Sequence, residues 1–200
     1  MKFTEYIGSQ FGNPRGIVGK ICCVIMNVIN RKMYVKASDS VLENSCKAIL
    51  DVGFGNGYLE KRISKQSGVI VKGIDISEDM LKSAAKRNRK SVEQGRVILS
   101  LGDCCNLEFQ DEMFDAVTSV NTIYFWPDTV KGLSEIKRVL KDNGIFVNAV
   151  YSQEWLKRLS YTKKGFKFFS KEDYISDGNK AGFSKVVIEE IVNGKSYLIK

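Results

Sequence analysis

The stretch Asp51-Val52-Gly53-Phe54-Gly55-Asn56-Gly57 sets an acid, three alternating glycines and an amide between an apolar run and a helical pattern. Glycines so spaced allow a tight turn and let a ligand lie against bare backbone, and the helix start beyond them offers free N–H groups. A loop that holds a dinucleotide has the spacing G-x-G-x-x-G. Here the spacing is G-x-G-x-G, and Tyr58 stands where the third glycine would be needed. Asp51 comes before the first glycine, where its charge would repel a diphosphate and suit an ammonium group. Asp51, Gly53, Gly55, Asn56 and Gly57 thus form the first part of a binding set for a cationic cofactor.

Two more acids close later strand patterns. Asp75 ends the run Val69 to Ile74 about 20 residues past the loop, where a carboxylate can accept both hydroxyls of a ribose; Asp is also ordinary turn punctuation. Ile76 and Met80 follow it and join the same set, Met80 as packing for an adenine face or, equally, for the core. After the third strand comes Gly102-Asp103-Cys104. Asp103 can accept from an adenine amino group and the next backbone N–H, that of Cys104, can donate to the ring; a plain Gly-Asp turn is the alternative. Asn121 and Thr122 follow the fourth strand and border the end of the cofactor away from the adenine. Tyr124, Phe125 and Trp126 come next as a neighbouring wall, with Tyr124 and Trp126 placed in the acceptor pocket.

These residues need elements to hold them. From Lys47 onward, short β-branched runs alternate with helical patterns, which predicts a parallel sheet covered by helices. Strands are expected at Ala48–Val52, Val69–Ile74, Arg96–Leu101, Ala116–Val120 and Gly144–Val150. Helices are expected from about Gly57 to Ser67, from a Ser77 cap to about Lys90, and from about Thr129 to Leu140, the last ended by Asp142-Asn143-Gly144. Ser170 caps a further helix through Ala181. Lys185–Ile191 and Ser196–Ile199 then read as a hairpin turned at Asn193-Gly194. The fold expected is α/β: a Rossmann-like, open, seven-stranded sheet, mostly parallel with an antiparallel C-terminal hairpin, and helices on both faces. Residues 1–45, a loop and an amphipathic helix, form an N-terminal helical lid on the domain at 46–200. Tyr6 and Phe11 are its expected inward aromatics.

This set of motifs resembles the class I S-adenosylmethionine-dependent methyltransferases, and is most similar to the branch of the ubiquinone/menaquinone-biosynthesis enzymes (methyltransferase type 11). The resemblance runs over about residues 45 to 150. The Asp51–Gly57 loop looks like that family's first motif, Asp75 like its ribose acid, Gly102-Asp103 like its adenine motif, and Asn121–Trp126 like its fourth-strand motif. It implies S-adenosylmethionine as cofactor and S-adenosylhomocysteine as product. That cofactor carries both an ammonium and a sulfonium, as the acid before the glycines favours. The implied reaction is direct displacement at the sulfonium methyl, with no metal. Many small-molecule members carry a histidine after the fourth strand; Tyr124 and Phe125 stand there, which leaves Tyr124 for acceptor positioning or proton handling.

Composition narrows the classes. The chain has 200 residues, 44% of them hydrophobic, enough for one core. Histidine is absent, which removes Ser-His and Cys-His nucleophile pairs. The five cysteines have no metal-type spacing and read as reduced thiols. No run approaches the roughly 18 to 20 apolar residues of a membrane span, and Met1–Gln10 begins no secretion signal, so a cytoplasmic location is expected. A net charge of +8 keeps nucleic acid in view as a partner, although solvated helix faces account for the basic runs more simply. A small-molecule acceptor is expected, with nucleic-acid methylation and non-catalytic cofactor binding as alternatives.

Overall fold

A computed structural model describes residues 16–200. Its centre is a seven-stranded sheet in the order β3-β2-β1-β4-β5-β7-β6. The strands are β1 (Ala48–Val52), β2 (Ile70–Asp75), β3 (Val97–Leu101), β4 (Phe114–Val120), β5 (Leu140–Tyr151), β6 (Ile188–Val192) and β7 (Ser196–Ile199). β1 pairs in parallel with both β2 and β4, β2 with β3, and β4 with β5. β7 runs antiparallel between β5 and β6. The chain winds outward from β1 to β3, then returns to place β4 on the other side of β1. In such a sheet the crevice at the carboxyl ends of the two strands flanking that reversal is the place for a ligand. Ile49, Leu50, Val71, Val117, Val147 and Ala149 are wholly buried, as strands covered on both faces require.

The helices are α1 (Gly16–Ile29), α2 (Arg31–Glu43), α3 (Tyr58–Ile63), α4 (Glu78–Arg87), α5 (Arg89–Glu93), α6 (Thr129–Val139), α7 (Gln153–Arg158) and α8 (Lys171–Lys180). Two caps expected from the sequence carry hydrogen bonds: Ser77 accepts from Met80 N–H, and Ser170 forms a capping box with Asp173; Asp128, accepting from Lys131 N–H, adds a third.

The expected helix after Ser77 is instead two. Asn88 separates them, its Nδ2 donating to Gly57 O at 2.9 Å and Ala84 O at 3.0 Å. β5 begins at Leu140, where the sequence pattern ends a helix. Its register against β4 jumps between the pairs Phe114–Leu140 and Ala116–Ile145, so Asp142-Asn143-Gly144 bulges from a strand rather than ending a helix. The described part of the N-terminal region is also two helices, broken at Asn30. α2 belongs to the body of the domain: Met33, Ala37 and Val41 recur every fourth residue and are buried in the core. α1 borders the crevice through Met26 and Asn27, and α2 through Tyr34.

Candidate functional site

A cavity of about 330 Å³ opens at the carboxyl ends of β1, β2 and β4. Two of the three loop glycines line it. Gly53 has φ +80°, and a Cβ there would sit 2.4 Å from Thr122 Cγ2, so the loop and the end of β4 meet only because no side chain intervenes. Gly55 has φ +54° and nothing within 4 Å of its would-be Cβ: it is the bare backbone against which a ligand can lie. Gly57 serves a different purpose. Its Cβ position is 2.9 Å from Ala84 Cα, so this glycine brings α3 against α4 and stays off the cavity.

The acids divide in the same way. Asp75 lines the cavity, its Oδ2 accepting Gly55 N–H at 2.8 Å and its Oδ1 accepting Ser77 N–H at 2.9 Å. Burial raises its pKa against these backbone donors. Asp103 is an exposed lip residue whose Oδ1 accepts Cys105 N–H, and Cys104 lines the wall beside it. Asp51 lies beneath the loop, 3% exposed and off the lining, with Thr118 Oγ1 donating to it at 2.6 Å. Burial pushes its pKa up to about 6. Below it is Glu60, fully buried, with neither carboxyl oxygen reached by a protein donor at hydrogen-bonding geometry. Burial, reinforced by the charge of Asp51, raises Glu60 well above the usual carboxylate range. Two carboxyls, Asp51 and Glu60, thus lie buried under the glycine loop.

Asn121 sits just past β4 with φ +60°, a conformation that non-glycine residues rarely adopt and that directs its amide into the cavity wall. Thr122 Oγ1 shares a 2.5 Å bond with Ser119 Oγ and accepts Trp126 Nε1–H at 3.1 Å, which fixes the indole in the lining above Gly132. The ring of Tyr124 lines the cavity, but its hydroxyl is committed elsewhere. It accepts Tyr151 N–H at 2.5 Å, with Asn121 Oδ1 at 3.2 Å and Tyr151 O at 3.3 Å as acceptors for its own proton. Burial raises this phenol well above its ordinary pKa. That environment suits holding Asn121 in place and does not suit taking a proton.

Met80 is wholly buried in a small cluster with Phe54 and Ala84 and stays off this lining. Ile76 is on the lining. Tyr6 and Phe11 lie outside the described residues. The described Asp103, Cys104 and Cys105 place three ligating atoms within 4.8 Å of one another. Burial raises the Cys104 thiol, and the Cys105 thiol donates to Asp128 O at 3.3 Å.

The cavity's other half comes from residues that sequence motifs do not single out: Tyr34, Tyr151, Leu156, Leu159, Tyr161 and Phe166. Lys167 folds their segment inward, its Nζ donating to Trp126 O at 2.7 Å and Pro127 O at 2.9 Å. Phe166 thereby meets Phe125 edge-on at 4.6 Å. The apolar spacing Leu156, Leu159, Phe166 was visible, but it is interleaved with the lysines that give the segment its charged look. Tyr151 had a positional signal, as the end of the strand next to β4.

Comparisons with known proteins agree with this geometry. A family described as "Methyltransferase domain" matches residues 50–148. The chain is 33% identical over 143 residues to the uncharacterized methyltransferase YdaC of Bacillus subtilis, across 71% of this chain and 74% of that one. It is 30% identical over 150 residues to the ubiquinone/menaquinone biosynthesis C-methyltransferase UbiE of Geobacter sp. (strain M21), across 74% of this chain and 64% of that one. Among solved structures it is similar to phosphoethanolamine N-methyltransferase 2 of Haemonchus contortus in complex with S-adenosyl-L-methionine, with a TM-score of 0.62 and 28% identity over 72% of this chain and 34% of that one. The chain thus spans less than two thirds of the latter two proteins.

Proposed function

The chain belongs to the methyltransferase-domain family of S-adenosylmethionine-dependent enzymes, and from that premise we propose that it moves a methyl group by direct displacement onto a small, uncharged, largely apolar acceptor. The distribution of charge around the cavity carries this reading. Its lining carboxylates, Asp75 and Asp103, both lie at the glycine-loop end, and no described lining residue is a lysine or arginine. The half formed by Met26, Phe125, Leu156, Leu159, Tyr161 and Phe166 is apolar and aromatic. A phosphorylated amine or a nucleic-acid backbone would need a cation there. An apolar ring needs none.

The residues fit the cofactor. Gly53 and Gly55 give bare backbone beside the acids, and Asp75 lies on the lining where its carboxylate can accept from a ribose diol. The acid Asp51 beneath the loop favours a cation above it. Asp103 and Cys104 flank the position for an adenine edge, and Asn121 and Thr122 the opposite end. When bound, S-adenosylmethionine supplies a methyl on a positively charged sulfur. The protein's share is alignment and exclusion of water. Tyr124 acts through Asn121 as a positioning residue. Burial raises the phenols of both Tyr151 and Tyr161. Among the described residues the acceptor half therefore offers no strong base, which fits a nucleophile that needs little help to lose its proton.

The test is S-adenosylhomocysteine release over a panel of apolar phenols, quinols and amines, phosphorylated amines, and RNA. Turnover is expected in the apolar group. Release confined to phosphorylated amines or RNA would reject the acceptor class.

A further inference from the structure

α1 is a helix turned the wrong way round for a core. At 100° per residue, Val18, Ile21, Val24, Ile25, Val28 and Ile29 fall within one arc of about 140°, and all six are exposed, from 38% at Val18 to 75% at Val28. The opposite face carries Met26 and Asn27 into the cavity wall, with Asn27 and, at the helix end, Asn30 buried. A helix covering a core shows the reverse, with aliphatic groups inward and amides outward. A contiguous aliphatic face of this kind marks a surface that something covers.

The charge beside it indicates what. The helix contains no acid. Its Gly16 N–H donates to Asp79 of α4 at 2.8 Å, which ties the two helices together. Val24 opens onto a groove whose other lining includes Lys61, Lys82, Lys86 and Arg87. Arg31 and Lys32 are exposed immediately after the helix. Of the acids on α4, Asp79 takes that backbone bond and Glu78 pairs with Lys82 at 3.7 Å. An aliphatic stripe flanked by cations, on a chain of net charge +8, complements an anionic bilayer. A second copy of this chain would set the same cations against themselves. The helix has 14 residues, about 21 Å, too short to cross a bilayer and suited to lying in its surface.

We propose that α1 docks this protein on an anionic lipid surface, its aliphatic face in the interface and the basic side of α4 against the headgroups. Because the inner face of α1 walls the cavity, docking would bring the acceptor half to the lipid boundary. The proposal stands apart from the acceptor reading, since docking is measured with no acceptor present.

The experiment is flotation of the full chain with vesicles of phosphatidylcholine, alone or containing phosphatidylglycerol. Binding is expected only to the phosphatidylglycerol vesicles, weakened by salt. Ile25→Glu with Val28→Glu should lower the bound-to-free ratio at least about tenfold, and Lys82→Gln with Lys86→Gln by about fivefold for each cation removed. Both double variants should keep the parent's affinity for S-adenosylmethionine, which shows that they fold. Flotation with neither vesicle, or flotation unchanged by Ile25→Glu/Val28→Glu, would overturn the proposal. So would a dimer in sedimentation velocity that this variant abolishes, because the face would then belong to a second copy.

Discussion

The phenol of Tyr151 donates to Oδ1 of Asn30 at 2.6 Å, joining the last residue of β5 to the break between α1 and α2 across 121 residues of chain. Asn30 is 3% exposed, so water cannot easily replace this partner. Tyr151→Phe should therefore cost about 1–3 kcal/mol of stability, the range for a buried acceptor left unsatisfied. Asn30→Ala in the Tyr151→Phe background should add much less than it does alone. Urea unfolding of the four proteins gives the coupling; strict additivity would mean the bond contributes nothing.

Asp75 is tied to two elements at once, through Gly55 N–H and Ser77 N–H. Asp75→Ala should weaken S-adenosylmethionine binding by about 1–3 kcal/mol and also reduce stability, since two backbone donors lose a charged acceptor. Calorimetric titration measures the first effect and denaturant unfolding the second. Unchanged cofactor affinity would remove Asp75 from the ribose position.

Gly53 and Gly55 separate folding from binding. Both have positive φ, so alanine at either should cost about 1–2 kcal/mol from backbone strain. Gly53→Ala also drives a methyl into Thr122, and its loss of stability should be clearly the larger. Gly55→Ala meets no protein atom, so its main effect should be on cofactor affinity, by about tenfold or more. Equal affinities for Gly55→Ala and the parent would place the ligand elsewhere.

Tyr124→Phe distinguishes positioning from proton transfer. If the phenol only holds Asn121 and Tyr151 N–H, the pH dependence of kcat should keep its shape while stability falls by about 1–3 kcal/mol. Loss of a limb of the pH profile in Tyr124→Phe would instead restore the tyrosine as a proton carrier.

The pair Asp51 and Glu60 makes stability depend on pH in an unusual direction. Burial holds both pKa values above the ordinary 3.8 and 4.5. Between about pH 4 and 6 the folded chain therefore keeps protons that the unfolded chain has lost, so this pair's contribution falls as pH rises through that window and on past it. Glu60→Gln should flatten the fall, raising Tm relative to the parent at pH 8 more than at pH 5. A constant difference in Tm across that range would show that the pair does not titrate on folding. S-adenosylmethionine, a cation, should offset part of the parent's fall, and this can be read by repeating the melts with the cofactor present.

The strands, the loop and the order of the motifs were legible because each rests on local chemistry. The β-branched runs, the glycine spacing, and the caps at Ser77 and Ser170 act within a few residues of themselves. That locality also carried the family and the seven-stranded architecture. It failed where a distant partner decides. Asn88 ends α4 because Gly57 O, 31 residues away, accepts from its side chain. Asp142-Asn143-Gly144 has turn chemistry, yet pairing with β4 holds it within a strand as a bulge.

The site divides along the same line. By itself the sequence determined a glycine loop with acids at successive strand ends, because strand ends converge on one edge in any sheet of this topology. Only the tertiary structure decided that Gly57 packs helices while Gly55 lies open, that Met80 is core, that Glu60 is buried near Asp51, and that residues between 151 and 166 wall the apolar half of the cavity. Each of these depends on which side chains meet across more than one element, and burial rather than residue type then sets what the groups do: the same carboxyl titrates in the ordinary range at a surface and above it beneath a loop.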